Sequence, residues 1–192
     1  MGVRSLAVVL AMALAAGRAG GAERGTAAVR GETAAAREQA RQCERKNLEE
    51  GVAACRAALA LGIGPERRGP VREKLAKHLV ALEKWDELAE LLREGVRLDP
   101  TIAAAWQRLG LTLLFALAEP AEATGALEEA ARLAPRDAPV RVGLALALHA
   151  AGRAKDAAAA FAEALRIDPS VLDGRPAARA AMEAAGRGEP WP

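Results

Sequence analysis

The sequence predicts an all-α protein built from a repeated helical hairpin, and two observations lead to that prediction. Pro65, Pro100, Pro135 and Pro169 recur at intervals of 35, 35 and 34 residues. A fixed period in this range is typical of stacked repeats, in which each unit buries its apolar side only against its neighbours. The composition agrees, because Tyr is absent, Val and Ile are sparse, and the abundant Ala, Leu, Arg and Glu favour helices.

Residues 1–22 have the layout of a secretory signal peptide. Arg4 precedes an apolar run of 11 residues, Leu6 to Ala16, and Gly20-Gly21-Ala22 suits a cleavage site before Glu23. The alternative is an uncleaved membrane anchor, but spanning takes about 20 apolar residues and Arg18 interrupts the run too early. Cleavage is favoured, so we expect an exported protein, periplasmic or secreted, in which residues 23–31 form a flexible leader.

Charge argues against two classes of partner. The chain has 27 basic and 25 acidic residues; removing Arg4 and Arg18 with the signal leaves 25 of each, a net charge of zero. A nucleic-acid binder would usually carry a basic patch, and attraction to anionic lipid by charge needs one too. We therefore expect no nucleic-acid partner and no stable membrane insertion after signal cleavage.

The repeats divide the chain after the leader into similar segments. The predicted solenoid spans residues 32–171, and a C-terminal cap helix with its tail occupies 172–192. Its units are about 32–65, 66–100, 101–135 and 136–169.

The fourth unit shows the hairpin most clearly. Leu144 and Leu148 share one face of a first helix, and Gly152 breaks that helix. Phe161 lies in the apolar stripe of a second helix, which ends before Pro169 because the residue preceding proline avoids helical geometry. The third unit repeats this pattern, with a turn at Glu119-Pro120.

The two ends of the predicted stack are atypical. Residues 48–59 align with a second helix, but their partner, about 33–45, has few large apolar residues; a terminal repeat that faces water is expected to differ. Pro176 is placed to open a last helix that runs to about Ala185 and covers the other end. Trp191 either docks back onto that end or stays free.

Two motifs resemble the tetratricopeptide repeat (TPR) family. Trp106-x-x-Leu109-Gly110-x-x-Leu113 is similar to that family's first-helix signature, and Ala157-x-x-x-Phe161-x-x-Ala164 with Pro169 is similar to its second. The resemblance covers about residues 69–171 well and 32–65 weakly, and Leu88 departs from it where a small residue is expected. It implies a right-handed superhelix of about four hairpins, the first degenerate, plus the capping helix. The motif is specific for fold and silent on ligand.

The resemblance also implies where a partner would bind. First helices of the family line a concave groove, which would recognise a protein or peptide segment. The residues that this implies as partner-binding are Lys74, Lys77, Gln107, Arg108, Leu111, Phe115, Leu146 and His149, and Glu73, Leu114 and Val142 would lie beside them. The alternative is that Leu114, Phe115 and Leu146 pack against the next helix, since an apolar stripe is usually core.

Cys43 and Cys55 are the only cysteines, and their pairing stays open. An even number in an exported chain suggests a disulfide. On one continuous helix they would be about 18 Å apart; with a turn near Lys46-Asn47 they would lie on facing helices, although a regular TPR register would offset them. Two cysteines without nearby histidine are a poor metal site.

No catalytic set is visible in the sequence. His78 and His149 lie in no metal or nucleophile motif and are predicted at surface or groove-lining positions, and Ser170 is predicted to act as a local cap. We therefore predict no enzyme activity, no cofactor and no metal.

The predicted function is a non-enzymatic protein–protein interaction adaptor of the bacterial cell envelope. The alternative is a structural subunit or homo-oligomer without a free groove, suggested by Trp85 and Trp191, which have no clear core position. A 35-residue RNA-binding repeat fits the period, but the neutral charge and the lack of a base-reading code oppose it. A small molecule or lipid in the groove stays open.

Overall fold

The computed structural model describes residues 32–191, and this part of the chain contains nine α-helices and no strand. The helices are α1 (Ala34–Arg45), α2 (Leu48–Ala60), α3 (Pro65–Ala81), α4 (Trp85–Leu98), α5 (Ala103–Phe115), α6 (Pro120–Leu133), α7 (Ala138–Ala150), α8 (Ala154–Ile167) and α9 (Pro176–Gly186). The all-α prediction is confirmed for these residues. The predicted signal peptide and leader lie outside them.

The described residues divide into two compact units. The N-terminal unit comprises residues 32–91 and the C-terminal unit residues 92–191, with the boundary inside α4. In the N-terminal unit α2 packs against α1 and α3, and α1 also contacts α3. In the C-terminal unit each helix from α5 to α8 packs against the next, and α9 packs against both α7 and α8.

Helix starts follow local capping rules. The Thr33 hydroxyl accepts from the Ala36 amide at 3.1 Å, and the Asn47 side chain accepts from the Glu50 amide at 3.3 Å. Asp137 does the same for α7, through the amide of Val140 at 3.0 Å. The helices α3, α6 and α9 open instead on a proline, which has no amide proton to leave unsatisfied in the first turn.

The turns after α4 and α8 repeat the same hydrogen bonds. Asp99 accepts from the amide of Thr101 at 3.0 Å and from its hydroxyl, and Asp168 accepts from the amide of Ser170 at 2.9 Å and from its hydroxyl at 2.7 Å. These bonds, the hydroxyl's first, lower the pKa of both carboxyls. The side chain that caps the backbone in this turn is therefore Asp168, and Ser170, predicted as the cap, supplies the amide and hydroxyl donors.

A close contact between small and large residues joins the helices of the C-terminal unit. Leu127 on α6 is fully buried, and a Cβ built at Gly110 on α5 would lie 2.5 Å from its Cγ. A Cβ at Gly143 on α7 would lie 3.2 Å from Leu127 Cδ2. Ala123, which also faces this contact, has no exposed surface. The two glycines therefore let α5 and α7 approach α6 from either side.

Candidate functional site

One side of α5 stays partly exposed in the C-terminal unit. Gln107, Leu111 and Phe115 follow one another at intervals of four residues, and Arg108 lies beside them. All four are half-buried, whereas Leu109 and Leu113 on the opposite side are 3% and 0% exposed. We call these four residues the α5 face. It combines the apolar side chains of Leu111 and Phe115 with the half-buried side chain of Arg108, whose Nε is itself buried.

The other residues predicted for the groove of this unit are buried. Leu114 and Leu146 are 7% and 9% exposed, Val142 is 3% and His149 is 1%. The reason lies in α7, which is enclosed by α5, α6, α8 and α9, so that every residue from Val142 to His149 is buried. Leu146 and His149 therefore have almost no accessible surface in this structure, and their role in partner binding stays a prediction. For Leu114 and Leu146 the alternative of core packing holds.

Three charged residues predicted for the groove belong to the N-terminal unit. Glu73 and Lys74 on α3 are half-buried, and Lys77 is exposed with its ammonium nitrogen 3.8 Å from a Glu73 carboxylate oxygen. A pair at this spacing and exposure contributes little to stability.

His78 is also buried, although a surface or groove-lining position was predicted for it. Only 5% of it is exposed, and its Nε2 lies 3.2 Å from the carbonyl oxygen of Cys43. A Cβ at Gly51 would lie 2.5 Å from the same nitrogen. The missing side chain at Gly51 therefore makes room for the imidazole, which the helical pattern of α3 alone does not reveal.

Cys43 and Cys55 form a disulfide between α1 and α2. Their Cα atoms are 4.7 Å apart, and neither residue has exposed surface. The turn at Lys46 and Asn47 brings the two helices together opposite each other, without the offset expected from a regular register. The bridge and His78 therefore meet around Cys43 in the core of the N-terminal unit.

The end of the described chain lies against α7. Glu189 and Trp191 both contact His149: the Glu189 carbonyl oxygen lies 2.8 Å from His149 Nε2, and the Trp191 ring meets the imidazole edge-on at 5.4 Å between centroids. Trp191 was expected either to dock back onto the helices or to stay free, and the structure shows that it docks. No local pattern in the sequence links residues 40 positions apart, so His149 could not be predicted to be covered.

An ion pair joins α4 to α6 in the C-terminal unit. The Arg93 guanidinium reaches both carboxylate oxygens of Glu122 at 2.8 Å and lies 3.5 Å from the carboxylate of Glu119. The hydrogen bond from Arg93 lowers the pKa of the Glu122 carboxyl. A two-pronged pair of this kind fixes direction as well as distance between the two side chains.

The part of the chain that the structure describes has neither a metal-binding cluster nor a membrane-spanning helix. Residues 32–191 contain no cluster of three or more His, Cys, Asp or Glu side chains arranged to hold a metal ion. None of the helices within those residues is both long enough and apolar enough to cross a bilayer.

No protein-family model matches the chain, and no curated protein matches it either. Solved structures do. The crystal structure of MamA protein aligns with a TM-score of 0.65 at 22% identity, covering 80% of this chain and 82% of that one. MamA residues 41-end from Desulfovibrio magneticus RS-1 align with a TM-score of 0.60 at 18% identity, covering 82% and 92%. The MamA RS-1 ArsTM double mutant gives 0.58 at 18%, with the same coverage.

The fold is TPR-like. This likeness and the nine helices confirm the predicted fold class, and at these identities the comparison concerns fold alone. Within the TPR-like fold, α5 is a first helix and α6 is a second helix. Gly110 lies where the two helices come close together, which is where the sequence resemblance implied a small residue.

Proposed function

We propose that this protein is a non-enzymatic interaction module of the bacterial cell envelope, an adaptor that binds a partner segment on the α5 face. A general role as an interaction scaffold is supported by the TPR-like fold shared with MamA. Binding of a partner segment is supported by the α5 face itself, where four side chains of a first helix remain half-exposed.

The chemistry of the α5 face suits a protein segment. Leu111 and Phe115 lie one helical turn apart and offer about the spacing that apolar anchors of a helix or an extended segment require. Arg108 supplies a guanidinium beside them, and Arg is the side chain best suited to a bidentate contact with a carboxylate. We infer a partner segment with apolar anchors and a neighbouring acidic residue.

An exported location is part of the same proposal. The predicted signal peptide supports it, and so does a buried disulfide, because disulfides persist in oxidising compartments and are rare in the cytosol. The test is fractionation of cells that make the tagged protein, with sequencing of its new N-terminus. Tagged protein in the cytosol with residue 1 or 2 intact would contradict export.

Homo-oligomerisation is the second candidate, and one observation favours it. Leu98 and Ile102, on either side of the turn between α4 and α5, are 61% and 47% exposed. Exposed aliphatic pairs are a common element of contacts between copies. The tryptophans add little support for association, because Trp191 lies on His149 and Trp85 is half-buried. Sedimentation of the unaltered protein and of Leu98→Glu separates the two: a dimer lost in Leu98→Glu supports association, and a monomer in both opposes it.

The adaptor is tested by partner capture in the native envelope. The double variant Arg108→Glu, Leu111→Glu should lose the partner while keeping its helical circular dichroism. A folded double variant that retains the partner would contradict binding on the α5 face.

A further inference from the structure

The chain segment after α9 folds back onto the helices before it. Gly188 has a φ of 71°, and it turns the chain so that its own amide donates to the Ala185 carbonyl at 3.0 Å. The Glu189 amide donates to the Ala184 carbonyl at 2.9 Å, and the Glu189 carboxylate pairs with Arg187 at 2.7 Å. We call residues 187–191 the tail. Its start is fixed to α9, and its last residues reach α7.

The tail satisfies a buried polar group through its backbone. A carbonyl oxygen can only accept, so the contact at 2.8 Å requires that His149 Nε2 carries the proton and donates to Glu189. In the neutral ring His149 Nδ1 is then an acceptor, and within residues 32–191 this buried atom has no hydrogen-bond partner. Such a group is rare and unfavourable in folded proteins. The tail therefore provides a hydrogen-bond partner for one of the two ring nitrogens of an imidazole that is 1% exposed.

Much of the tail faces solvent at this position. Residues 187–190 are exposed, and Trp191 retains 36% of its surface while its ring packs edge-to-face with the imidazole of His149. The tail contacts His149 through a backbone carbonyl and through an aromatic ring two residues later. Another extended segment with the same spacing can supply both contacts.

The covered position lies where the sequence placed the partner. His149 and Leu146 were implied as groove residues by their place on a first helix, and the tail and the helices around α7 now exclude solvent from them. We propose that His149 is the centre of a second binding site, for an extended segment that carries an aromatic residue two positions after an accepting carbonyl, and that the tail is its internal ligand. This rests on the proposed function only in that a partner segment competes with the tail.

The experiment uses the chain's own tail as the probe. A fluorescent peptide of residues 185–192 is titrated by anisotropy into the unaltered protein, into Trp191→Ala and into the matched control Trp85→Ala. An attached tail competes at an effective concentration in the millimolar range, so Trp191→Ala should bind the peptide at least about tenfold tighter than the unaltered protein. Trp85→Ala should bind it as weakly as the unaltered protein, and a peptide carrying Trp191→Ala should not bind.

Two further measurements keep the proposal falsifiable. His149→Phe, added to Trp191→Ala, removes the donor and keeps a ring, and it should abolish peptide binding while the thermal unfolding stays cooperative. Three results would overturn the site. The first is equal affinity of the peptide for Trp191→Ala and the unaltered protein, and the second is no binding at about 1 mM protein. The third such result is full affinity after His149→Phe. Sedimentation that shows dimers of the unaltered protein, dissolved by Trp191→Ala, would overturn the internal arrangement, because the tail would then serve a second copy.

The result of this titration does not depend on whether the proposed function is correct. It contains no partner, so a negative result removes the His149 site and leaves binding on the α5 face untouched. In the same way, a partner-capture experiment that contradicts binding on the α5 face would not affect the interpretation of the peptide titration.

Discussion

Leu127 lies directly over Gly110, and a Cβ at Gly110 would stand 2.5 Å from Leu127 Cγ and 3.1 Å from the Ala123 carbonyl oxygen. The first of these neighbours is the branch point of a fully buried side chain and the second is backbone. Neither can move without disturbing α6. The hairpin of α5 and α6 therefore depends on the absence of a side chain at one position.

Gly110→Ala should destabilise the C-terminal unit. Overpacking of a filled core costs about 1–3 kcal/mol, more than the gain of roughly 0.5–1 kcal/mol that Ala has over Gly within a helix. Gly125→Ala on α6 is the matched control, because nothing lies within 4 Å of its added Cβ. Urea unfolding should give a lower midpoint for Gly110→Ala and an equal or higher one for Gly125→Ala. Equal midpoints for Gly110→Ala and the unaltered protein would contradict the packing.

Reducing the disulfide should destabilise the N-terminal unit. Cys43 and Cys55 close a loop with a sequence separation of 12, for which the constraint on the unfolded chain is worth about 3 kcal/mol. We expect dithiothreitol to lower the unfolding midpoint of the unaltered protein and to leave that of a Cys43→Ser, Cys55→Ser double variant unchanged. If hydrogen exchange slows or stays the same in α1 and α2 on reduction, the bridge does not stabilise this unit.

The ion pair of Arg93 and Glu122 should make stability depend on pH. The folded pKa of Glu122 is lowered by Arg93, so its contribution is fully present above the unfolded pKa, near pH 4.5, and is lost as pH falls through the lowered value. Because Glu122 is about half-exposed, with 49% of its side chain accessible, the contribution is at most about 1 kcal/mol. The difference in unfolding free energy between the unaltered protein and Glu122→Gln should shrink between pH 6 and pH 3.

A direct titration checks the cause of that shift. Carbon-detected NMR of the Glu122 carboxyl should give a higher pKa in Arg93→Met than in the unaltered protein. The Asp168 carboxyl serves as the internal control, because its pKa is lowered chiefly by Ser170 and should not change. Unchanged titration of Glu122 in Arg93→Met would show that the guanidinium is not responsible.

The sequence was sufficient where structure follows from local pattern and period. The Asp-Pro turns at Asp99 and Asp168 and the small residues at Gly110 and Ala123 all have the packing or hydrogen bonding that their spacing indicates.

The sequence was insufficient where burial depends on segments far apart in the chain. His149 is covered by Trp191, and His78 fits beside Gly51 because that residue has no side chain. Leu146 is buried because α7 has neighbours on every side, which no helical periodicity states. Helical pattern gives the side of a helix on which a residue lies, and the surrounding helices decide whether that side meets water.

Partner capture with matched variants tests the central claim, binding on the α5 face, most directly. The tagged protein, its Arg108→Glu, Leu111→Glu variant and a Lys155→Glu, Leu61→Glu control are cross-linked in the native envelope, and captured proteins are quantified by mass spectrometry. Lys155 and Leu61 are exposed and do not belong to the α5 face, so the control makes the same change of net charge and also replaces a leucine by glutamate. Loss of a hot spot worth about 2 kcal/mol should reduce capture of the partner more than about tenfold in the first variant and leave it unchanged in the control. Equal capture by all three proteins would contradict the account.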